Sequence, residues 1–289
     1  MKKNVAPYRI SFEFYPPKTP DGVHALIQSA QELTILSPAF FSVTFGAGGS
    51  TREGTLEMVR LLQKRTSTSI APHLSCIGAD RVELLEILQQ YQTLGVKRLV
   101  ALRGDLPSGM VSSGDYKFAY DLVRLIREVT GDYFHIEVAA YPEYHPQAKN
   151  AWHDVSNLKK KYEAGADSAI TQYFFNPDAY FYFLDECNKQ NINMPIIPGI
   201  MPILQFNKLM RFSEVCGAEV PRWLYKRLES FGDDKESIYD FGVDVLSHLC
   251  EQLLLAGAPG LHFYTLNHAQ LSMEILTRLN LIALSQIEV

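Results

Sequence analysis

The sequence predicts an α/β fold, a closed (β/α)8 TIM barrel with additional helices before the last strand. Short β-rich runs alternate with amphipathic segments, which is typical of parallel strands joined by helical crossovers. The β-rich runs number eight, as a closed barrel requires. They lie at residues 9–14, 39–44, 69–75, 98–102, 134–140, 168–173, 195–200 and 260–265.

Each run ends at or just before a residue suited to a binding site, at intervals that match one strand and one helix. These residues are Glu13, Thr44, His73, Asp105, Tyr141, Gln172, Gly199 and Tyr264. The first six intervals span 27 to 36 residues, whereas the last spans 65. The long interval predicts additional helices, for which residues 221–228 and 238–255 have the required apolar pattern.

The other helices are predicted from apolar residues three or four positions apart, as at 23–33, 82–88 and 118–129. Pro177 and Asp178 are typical of a helix start, and apolar side chains lie on one face from there to Cys187. No linker interrupts the series, so we expect a single domain over residues 1–289. A doubly wound open sheet has the same alternation and is the competing architecture.

The composition excludes several classes of function. With 47% hydrophobic and 20% charged residues, no stretch approaches the roughly 18 apolar residues of a membrane helix. The N-terminus lacks the apolar segment of a signal peptide. Cys76, Cys187, Cys216 and Cys250 are widely separated, which indicates reduced thiols. The net charge of −5 and pI of about 5.9 argue against nucleic acid as a partner. We therefore expect a cytoplasmic protein that acts on small molecules, away from membranes.

Glu13 is a candidate general acid. It lies between Phe12 and Phe14, so the period of two turns its side chain toward the barrel lumen and places the two rings under the helices. A carboxylate in the lumen is poorly solvated, which predicts a raised pKa and proton donation near neutral pH. The alternative is a structural ion pair with a lumen arginine.

Arg103, Gly104 and Asp105 follow the fourth run and offer a planar donor, close backbone approach and a fixed anion. A strand-exit turn with a surface ion pair explains them equally well. The glycine-rich segment 45–50 after the second run suggests a phosphate loop, but it matches neither G-x-G-x-x-G nor a Walker sequence.

A polar face is predicted on the helix after the fifth run. Asp154, Asn157 and Lys161 share this face and Lys160 is adjacent, although a solvated surface would have the same pattern. His73 is either a satisfied core histidine or a ligand-binding residue.

The absence of several motifs narrows the chemistry. The first run has no H-x-H, and the chain has no H-E-x-x-H, no G-x-S-x-G and no lysine at a strand end. What remains is acid catalysis or an organic cofactor that lies across the rim.

Eight segments resemble the methylenetetrahydrofolate reductase family of the bacterial, single-domain, FAD-dependent type. They are SFEFYPP at 11–17, SVTFGA at 42–47, APHL at 71–74, ALRGDLP at 101–107, AYPEYHP at 140–146, AITQYFF at 169–175, IPGI at 197–200 and HFYTLN at 262–267. They run in order along nearly the whole chain, and their combination is specific although each alone is not.

The resemblance implies a TIM barrel that carries FAD and passes a hydride from NADH or NADPH to 5,10-methylenetetrahydrofolate. The product is 5-methyltetrahydrofolate for methionine synthesis. Two residues are implied as catalytic: Glu13 as the general acid that helps open the methylene bridge, and Asp105 near the flavin and pterin. Flavin reduction and folate reduction would alternate in a ping-pong sequence, with no metal. The resemblance also implies a homo-oligomer.

The resemblance implies further binding residues. FAD contacts are expected from Thr44, Phe45, Ala47, His73, Arg103, Gly104, Asp105, Ala119, Tyr141, His145, Ala148, Asp154, Asn157, Lys160 and Lys161. Substrate contacts are expected from Glu13, Asp105, Gln172, Lys208, Phe212 and His268. Under this interpretation the helix at 154–161 belongs to the dinucleotide site.

The chain departs from the family pattern at two folate positions. Lys208 replaces an expected glutamine and His268 an expected arginine, and both can meet the anionic glutamate tail, His268 weakly at neutral pH. Residues 110–115 match no part of the pattern. The sequence contains no Rossmann switch that would distinguish NADH from NADPH.

Two other functions remain open from the residues alone. A metal-assisted lyase or hydrolase on the same barrel would use His73, His145 and Asp105, although the missing H-x-H argues against it. A non-catalytic binding protein is the second, and the intact set of Glu13, Asp105 and Gln172 weighs against it.

Overall fold

The computed structural model describes residues 8–45, 52–104 and 115–281, with the main chain only at Arg52. This part of the chain forms nine strands and ten helices. The strands are β1 (Arg9–Phe14), β2 (Phe40–Val43), β3 (Ile70–Ser75), β4 (Arg98–Leu102), β5 (His135–Ala140), β6 (Ser168–Thr171), β7 (Ile196–Ile197), β8 (Gly199–Ile200) and β9 (Gly260–Tyr264). The helices are α1 (Pro20–Thr34), α2 (Arg52–Arg65), α3 (Arg81–Thr93), α4 (Ala119–Thr130), α5 (Ala151–Glu163), α6 (Pro177–Lys189), α7 (Phe206–Cys216), α8 (Arg222–Phe231), α9 (Lys235–Leu255) and α10 (Gln270–Arg278).

All strand pairs are parallel, and the order is β7-β6-β5-β4-β3-β2-β1-β9-β8. β7 pairs with β6 and β8 pairs with β9, so the two short strands close the ring through Pro198 between them. The predicted TIM barrel is therefore confirmed, and the open doubly wound sheet is excluded. The single-domain organisation of the whole chain stays a prediction.

The seventh predicted strand differs from the structure, since it is two short strands rather than one run over 195–200. Proline has no N–H to donate to a sheet. The carbonyl of Pro198 still accepts a hydrogen bond from the His262 N–H, at 3.0 Å. The ladder is therefore interrupted at one residue while the barrel stays closed.

Three helices fill the long interval before the last strand. The sequence predicts α8 and α9, and both are confirmed. α7 is not among the helices predicted from the sequence. In the structure this helix buries Leu209 and Ser213 and exposes Lys208, Arg211 and Phe212. This helix matters because its exposed face lies beside the carboxyl ends of the strands.

The first strand has the predicted alternation. Phe12 and Phe14 are fully buried, and their rings pack against Phe41 and Phe263 at centroid distances of 5.3 to 6.2 Å. Glu13 lies between them and faces the lumen, where its side-chain contacts include two histidines.

A buried ionic cluster fills the lumen nearer the amino ends of the strands. Glu137 on β5 forms an ion pair with Arg98 on β4 and accepts a hydrogen bond from Ser168 Oγ on β6, at 2.5 Å. His135 Nε2 lies 3.3 Å from the same carboxylate. Burial raises the pKa of Glu137, but His135, Arg98 and Ser168 outweigh it and hold the pKa below its ordinary value.

Candidate active site at the carboxyl ends of the strands

Two adjoining depressions lie at the carboxyl ends of the strands, where enzymes with this fold carry their active sites. The central cavity has a volume of about 760 Å³, and its walls include Glu13, His73, Gln172, Lys208, Phe212 and Tyr264. The lateral groove has a volume of about 280 Å³, and its walls include Arg103, Gly104, Ala119, Tyr141, His145, Ala148, Asp154, Asn157 and Lys161. Leu102, Ala139 and Tyr141 line both. A ligand in the groove can therefore reach the cavity.

Glu13 is surrounded by residues from three other strands. His73 Nε2 on β3 lies 3.1 Å from Glu13 Oε2, and His262 Nε2 on β9 lies 3.7 Å from it. Ser42 Oγ on β2 donates a weak hydrogen bond to the same oxygen at 3.4 Å. His73 Nε2 makes no hydrogen bond within the described residues, so its 3.1 Å contact with Glu13 Oε2 is an electrostatic one. His262 is held in place on its other side, since Nδ1 lies 2.8 Å from Ser11 Oγ.

The predicted rise in the Glu13 pKa is wrong. Burial does raise the pKa, because only 19% of the side chain is exposed. The charges of His73 and His262 and their contacts with the carboxylate outweigh burial and lower the pKa to about 2. The alternative, an ion pair with a lumen arginine, is not found in the described surroundings of Glu13, where two histidines lie instead. Glu13 is thus ionised at neutral pH in this arrangement.

The end of β9 ties the rim together. Thr265 Oγ1 donates to the Glu13 carbonyl at 2.6 Å, and Tyr264 Oη donates to the Thr171 carbonyl at 2.6 Å. Gly199 lies against this second bond, because a Cβ there would be 2.2 Å from the Thr171 carbonyl oxygen and 2.6 Å from the Tyr264 ring. Only glycine fits at this point, so the ring of Tyr264 is fixed as a wall of the central cavity.

The polar face of α5 forms one side of the lateral groove, as the spacing of Asp154, Asn157 and Lys161 predicts. Lys161 is buried, and its Nζ donates to the Ala139 carbonyl at 2.5 Å. Burial lowers its pKa to about 8, against a smaller opposite effect of Asp154. Asp154 Oδ2 also accepts a hydrogen bond from the His145 backbone N–H at 2.8 Å.

The opposite side of the groove follows β4. Arg103 Nη2 donates to Gln147 Oε1 at 2.6 Å, and this bond links the two sides. Gly104 has a φ of +85°, and a Cβ there would be 1.8 Å from Ser75 Oγ. The backbone turn beside Arg103 therefore depends on glycine.

Most of the predicted site residues are brought together, but several are not. Lys160 is exposed at the edge of the groove, where its Nζ lies 5.4 Å from the centre of the Tyr120 ring. Thr44 and Phe45 follow β2 at the rim and line neither depression. His268 is exposed and does not line the central cavity. Ala47 and Asp105, with most of 45–50 and 110–115, lie outside the described residues.

Sequence reasoning missed residues in both depressions. Tyr120, Gln147 and His153 also line the groove, and Arg211 and Val215 also line the cavity. The groove residues have no distinctive pattern in the sequence. The cavity residues could have been found, because Lys208, Arg211, Phe212 and Val215 follow the i, i+3, i+4, i+7 spacing of one helical face.

Among the residues that the structure describes, no three His, Cys, Asp or Glu side chains are arranged to hold a metal ion. His73 lines the cavity, whereas His145 lines the groove. No described helix is both long and apolar enough to cross a membrane.

The chain was compared with known protein families and with individual proteins. Residues 2–280 match the family described as methylenetetrahydrofolate reductase. The chain belongs to the methylenetetrahydrofolate reductase family. It is 41% identical over 266 residues to the 5,10-methylenetetrahydrofolate reductase of Escherichia coli, which covers 92% of this chain and 88% of the relative. The enzyme of the same name from Buchnera aphidicola of Schizaphis graminum is 42% identical over 92% of this chain and 89% of its own.

A solved structure supports the fold alone. An uncharacterised protein from Clostridium thermocellum that binds two copies of 5-methyl-5,6,7,8-tetrahydrofolic acid superposes with a TM-score of 0.62 at 17% identity. The match covers 94% of this chain and 93% of that protein. The predicted family is therefore confirmed by the family match and by the bacterial relatives.

Proposed function

We propose that this enzyme uses FAD to transfer a hydride from NADH or NADPH to 5,10-methylenetetrahydrofolate and releases 5-methyltetrahydrofolate. The observation that carries the proposal is a cavity with an acid–histidine pair at its floor, continuous with a groove that offers cations. The acid–histidine pair in the cavity suits a reaction that needs a proton, and the cations of the groove suit a dinucleotide with a pyrophosphate. Family membership supports the same conclusion.

The lateral groove fits FAD by the chemistry of its donors. Arg103 and Lys161 supply positive charge for the pyrophosphate, and Asn157 supplies an amide for a hydroxyl or carbonyl group. Thr44 Oγ1 is buried near the rim and makes no hydrogen bond within the described residues, so it has donor capacity left for a ligand. When bound, FAD supplies the acceptor and donor of the hydride.

The proton for the folate step is held by the pair of Glu13 and His73. Opening the methylene bridge to an iminium requires a proton on the departing amine nitrogen. Because the pKa of Glu13 is lowered to about 2, Glu13 itself is ionised at neutral pH and must receive the proton from a neighbouring group or from solvent. His73 Nε2 lies 3.1 Å from Glu13 Oε2, so a small rotation of its ring into hydrogen-bond alignment would allow a proton to pass to the carboxylate.

Gln172 and Phe212 position the substrates. The Gln172 Oε1 accepts the backbone N–H of Tyr173 at 3.0 Å, which leaves the amide NH2 as a donor toward a ligand in the cavity. Phe212 is 39% exposed on α7 and offers a ring face for stacking. NADH or NADPH and folate would use the cavity in turn, in a ping-pong sequence. Asp105 completes this proposal as a carboxylate near the flavin and pterin that would tune the flavin and stabilise the developing cation.

The test separates the two half-reactions. Purified protein is expected to have the absorbance of oxidised flavin, to lose it with NADH and to regain it with methylenetetrahydrofolate. Glu13→Gln is expected to keep flavin reduction and lose folate reduction. Colourless protein that takes up no added FAD would contradict the proposal, and equal loss of both half-reactions would contradict the acid role of Glu13.

His73→Gln tests the shared proton. Removing His73 raises the Glu13 pKa and takes away the second group of the pair. Because a general acid acts in its protonated form, the pH at which folate reduction falls on the alkaline side of the profile is expected to change. Ser75→Ala on the same strand is the control, because its Oγ donates to the Arg103 carbonyl and does not contact Glu13. An unchanged profile in His73→Gln would refute the shared proton.

We also propose that the enzyme is a cytoplasmic homo-oligomer that supplies 5-methyltetrahydrofolate for methionine synthesis. Light scattering of the purified holoenzyme measures the oligomeric state directly. A monomer at micromolar concentration would contradict this part of the proposal. Stopped-flow reduction with each nucleotide determines whether NADH or NADPH is preferred.

A further inference from the structure

The β5–α5 loop (residues 141–150) carries residues of both depressions. Tyr141 lines the central cavity and the lateral groove, and His145 and Gln147 line the groove. Glu143 lies between them in the chain but lines neither depression. Its carboxylate instead contacts the segment that follows α7. One side of the loop is therefore available to ligands, and another side is occupied by contacts with α7.

Two contacts join the β5–α5 loop to the segment after α7. Glu143 Oε2 accepts a hydrogen bond from the Glu219 backbone N–H at 2.8 Å. Pro146 packs against Gly217, where a Cβ would lie 2.7 Å from Pro146 Cγ, and Gly217 ends the helix with a φ of +76°. Because α7 places Phe212 in the wall of the central cavity, the position of its end affects the shape of that cavity. The loop thus connects the groove wall with the cavity wall.

The surroundings of Glu143 make this connection sensitive to charge. Burial and the Glu219 carboxylate raise the pKa of Glu143 to about 7, against the hydrogen bond from the Glu219 N–H. Tyr173, after β6, is the other titratable group on which Glu143 acts, and burial raises the pKa of this tyrosine, so it is neutral here. In the described part of the chain, no Lys, Arg or His forms a salt bridge with Glu143. The contact between loop and helix is therefore less favourable once Glu143 is ionised.

We propose that Glu143 is a positioning residue of the reductase: through the Glu219 N–H it holds the end of α7 and the β5–α5 loop in the arrangement that FAD and the substrates require. Protonated Glu143 favours this arrangement, and ionised Glu143 loosens it. The inference rests on the proposed function, because it assigns the groove to FAD and the cavity to the substrates. Its consequence is that a residue outside both depressions changes the affinity for FAD and the KM of the substrates together.

Three variants separate the hydrogen bond from the charge. Glu143→Gln keeps an oxygen that can accept the Glu219 N–H and removes the charge, whereas Glu143→Met removes both. Glu219→Gln removes the neighbouring charge and keeps the backbone N–H. Glu214→Gln is the matched control, because Glu214 is an exposed carboxylate on α7 itself and lines neither depression.

The first measurement is the KM for NADH in flavin reduction by each holoenzyme from pH 6 to pH 8. In the wild type and in Glu214→Gln, we expect the KM to rise about two- to fivefold through pH 7, with a smaller change in kcat. In Glu143→Gln this rise should be absent, and in Glu219→Gln it should be smaller and move to lower pH. Glu143→Met should raise the KM and weaken FAD binding about two- to tenfold already at pH 6.

Hydrogen exchange at pH 6 provides a second measurement that does not depend on catalysis. Glu143→Met is expected to speed exchange in peptides covering 141–148 and 214–220 together, whereas Glu143→Gln should leave both close to the wild type. If Glu143→Met does not fold, the two Gln variants at Glu143 and Glu219 still decide the outcome.

Two results would overturn the positioning role. One is the same pH dependence of the KM in Glu143→Gln as in the wild type. The other is a lowered Tm in Glu143→Met with a KM and an FAD affinity within twofold of the wild type, since that pattern belongs to a residue that serves stability alone. A wild type that takes up no FAD would instead refute the proposed function, and the joint change in hydrogen exchange would then still report the contact between loop and helix.

Discussion

Arg98→Met tests the physical account of the barrel interior most directly. The substitution keeps the length of the stem and removes the cation that faces Glu137, whose side chain is 2% exposed. The Glu137 carboxylate then keeps its hydrogen bond from Ser168 Oγ at 2.5 Å and its contact with His135 Nε2 at 3.3 Å, but it loses the permanent positive charge of Arg98. Breaking a buried ion pair from one side costs about 3 to 5 kcal/mol, and the two remaining contacts place the expected loss near 3 kcal/mol.

The assay is thermal and urea unfolding of the purified protein. For a chain of 289 residues, with an unfolding entropy of about 2.1 cal/mol/K per residue, a loss of about 3 kcal/mol corresponds to a fall in Tm of roughly 5 °C. Arg81→Met is the matched control, because it breaks an ion pair with Glu128 of 2.7 Å in which both side chains are about half exposed. A much smaller change is expected there, since solvent screens exposed pairs.

Two further measurements sharpen the test. The pKa of Glu137 is held below its ordinary value of 4.5, so its contribution is present above pH 4.5 and is lost as the pH falls through the lower folded-state pKa. The difference between wild type and Arg98→Met should therefore shrink below pH 4. The double variant Arg98→Met/Glu137→Leu should be more stable than Arg98→Met alone. Equal losses in Arg98→Met and Arg81→Met would refute the reasoning.

Three shorter predictions concern the active-site rim. Gly199→Ala brings a Cβ within 2.2 Å of the Thr171 carbonyl oxygen, so it should displace Tyr264, lower stability by about 1 to 3 kcal/mol and raise the folate KM; an unchanged Tm and KM would contradict this. Burial and the charge of Glu219 raise the Glu143 pKa to about 7 against a hydrogen bond from the Glu219 N–H. Folding therefore becomes less favourable as the pH rises from 4.5 through 7 and Glu143 ionises. In thermal unfolding, Glu143→Gln should leave stability unchanged at pH 4. At pH 8 it should increase stability by less than about 1 kcal/mol, because solvent screens the partly exposed group. The lysine in the groove loses its charge near its pKa of about 8, so FAD affinity measured by fluorescence should weaken from pH 7 to pH 9, and Lys161→Met should abolish that dependence. A pH-independent FAD affinity in the wild type would refute a contribution of the Lys161 charge to FAD binding.

Local periodicity made much of the fold predictable. A strand or helix buries one face, so its apolar spacing identifies the element and the direction of its side chains. Glu13 between Phe12 and Phe14 faces the lumen for this reason, and Asp154 and Lys161 share the groove face of α5. α7 was missed although it has the same kind of signal, because the long interval before β9 was assigned to other helices.

The electrostatics of the site were not predictable from local pattern. Burial alone raises the pKa of Glu13, and the sequence predicts that rise. The fold brings His73 and His262, which are 60 and 249 residues away in the chain, to within 4 Å of the carboxylate and reverses the sign. No spacing rule encodes such a contact, since it depends on which strands become neighbours and on their register.

The sequence by itself determined the alternation of strands and helices and indicated the family, because each depends on segments that are contiguous in the chain. Closure of the sheet into a barrel was decided by the pairing of strands that are distant in the chain. The tertiary structure decided where the charges lie. It leaves His268 exposed beyond the cavity, places Lys208 and Arg211 on the cavity wall, and surrounds Glu13 with histidines from two other strands. The physical reason is that the direction of a side chain depends on local backbone geometry, whereas its charge state and its ligand depend on groups that only folding brings near.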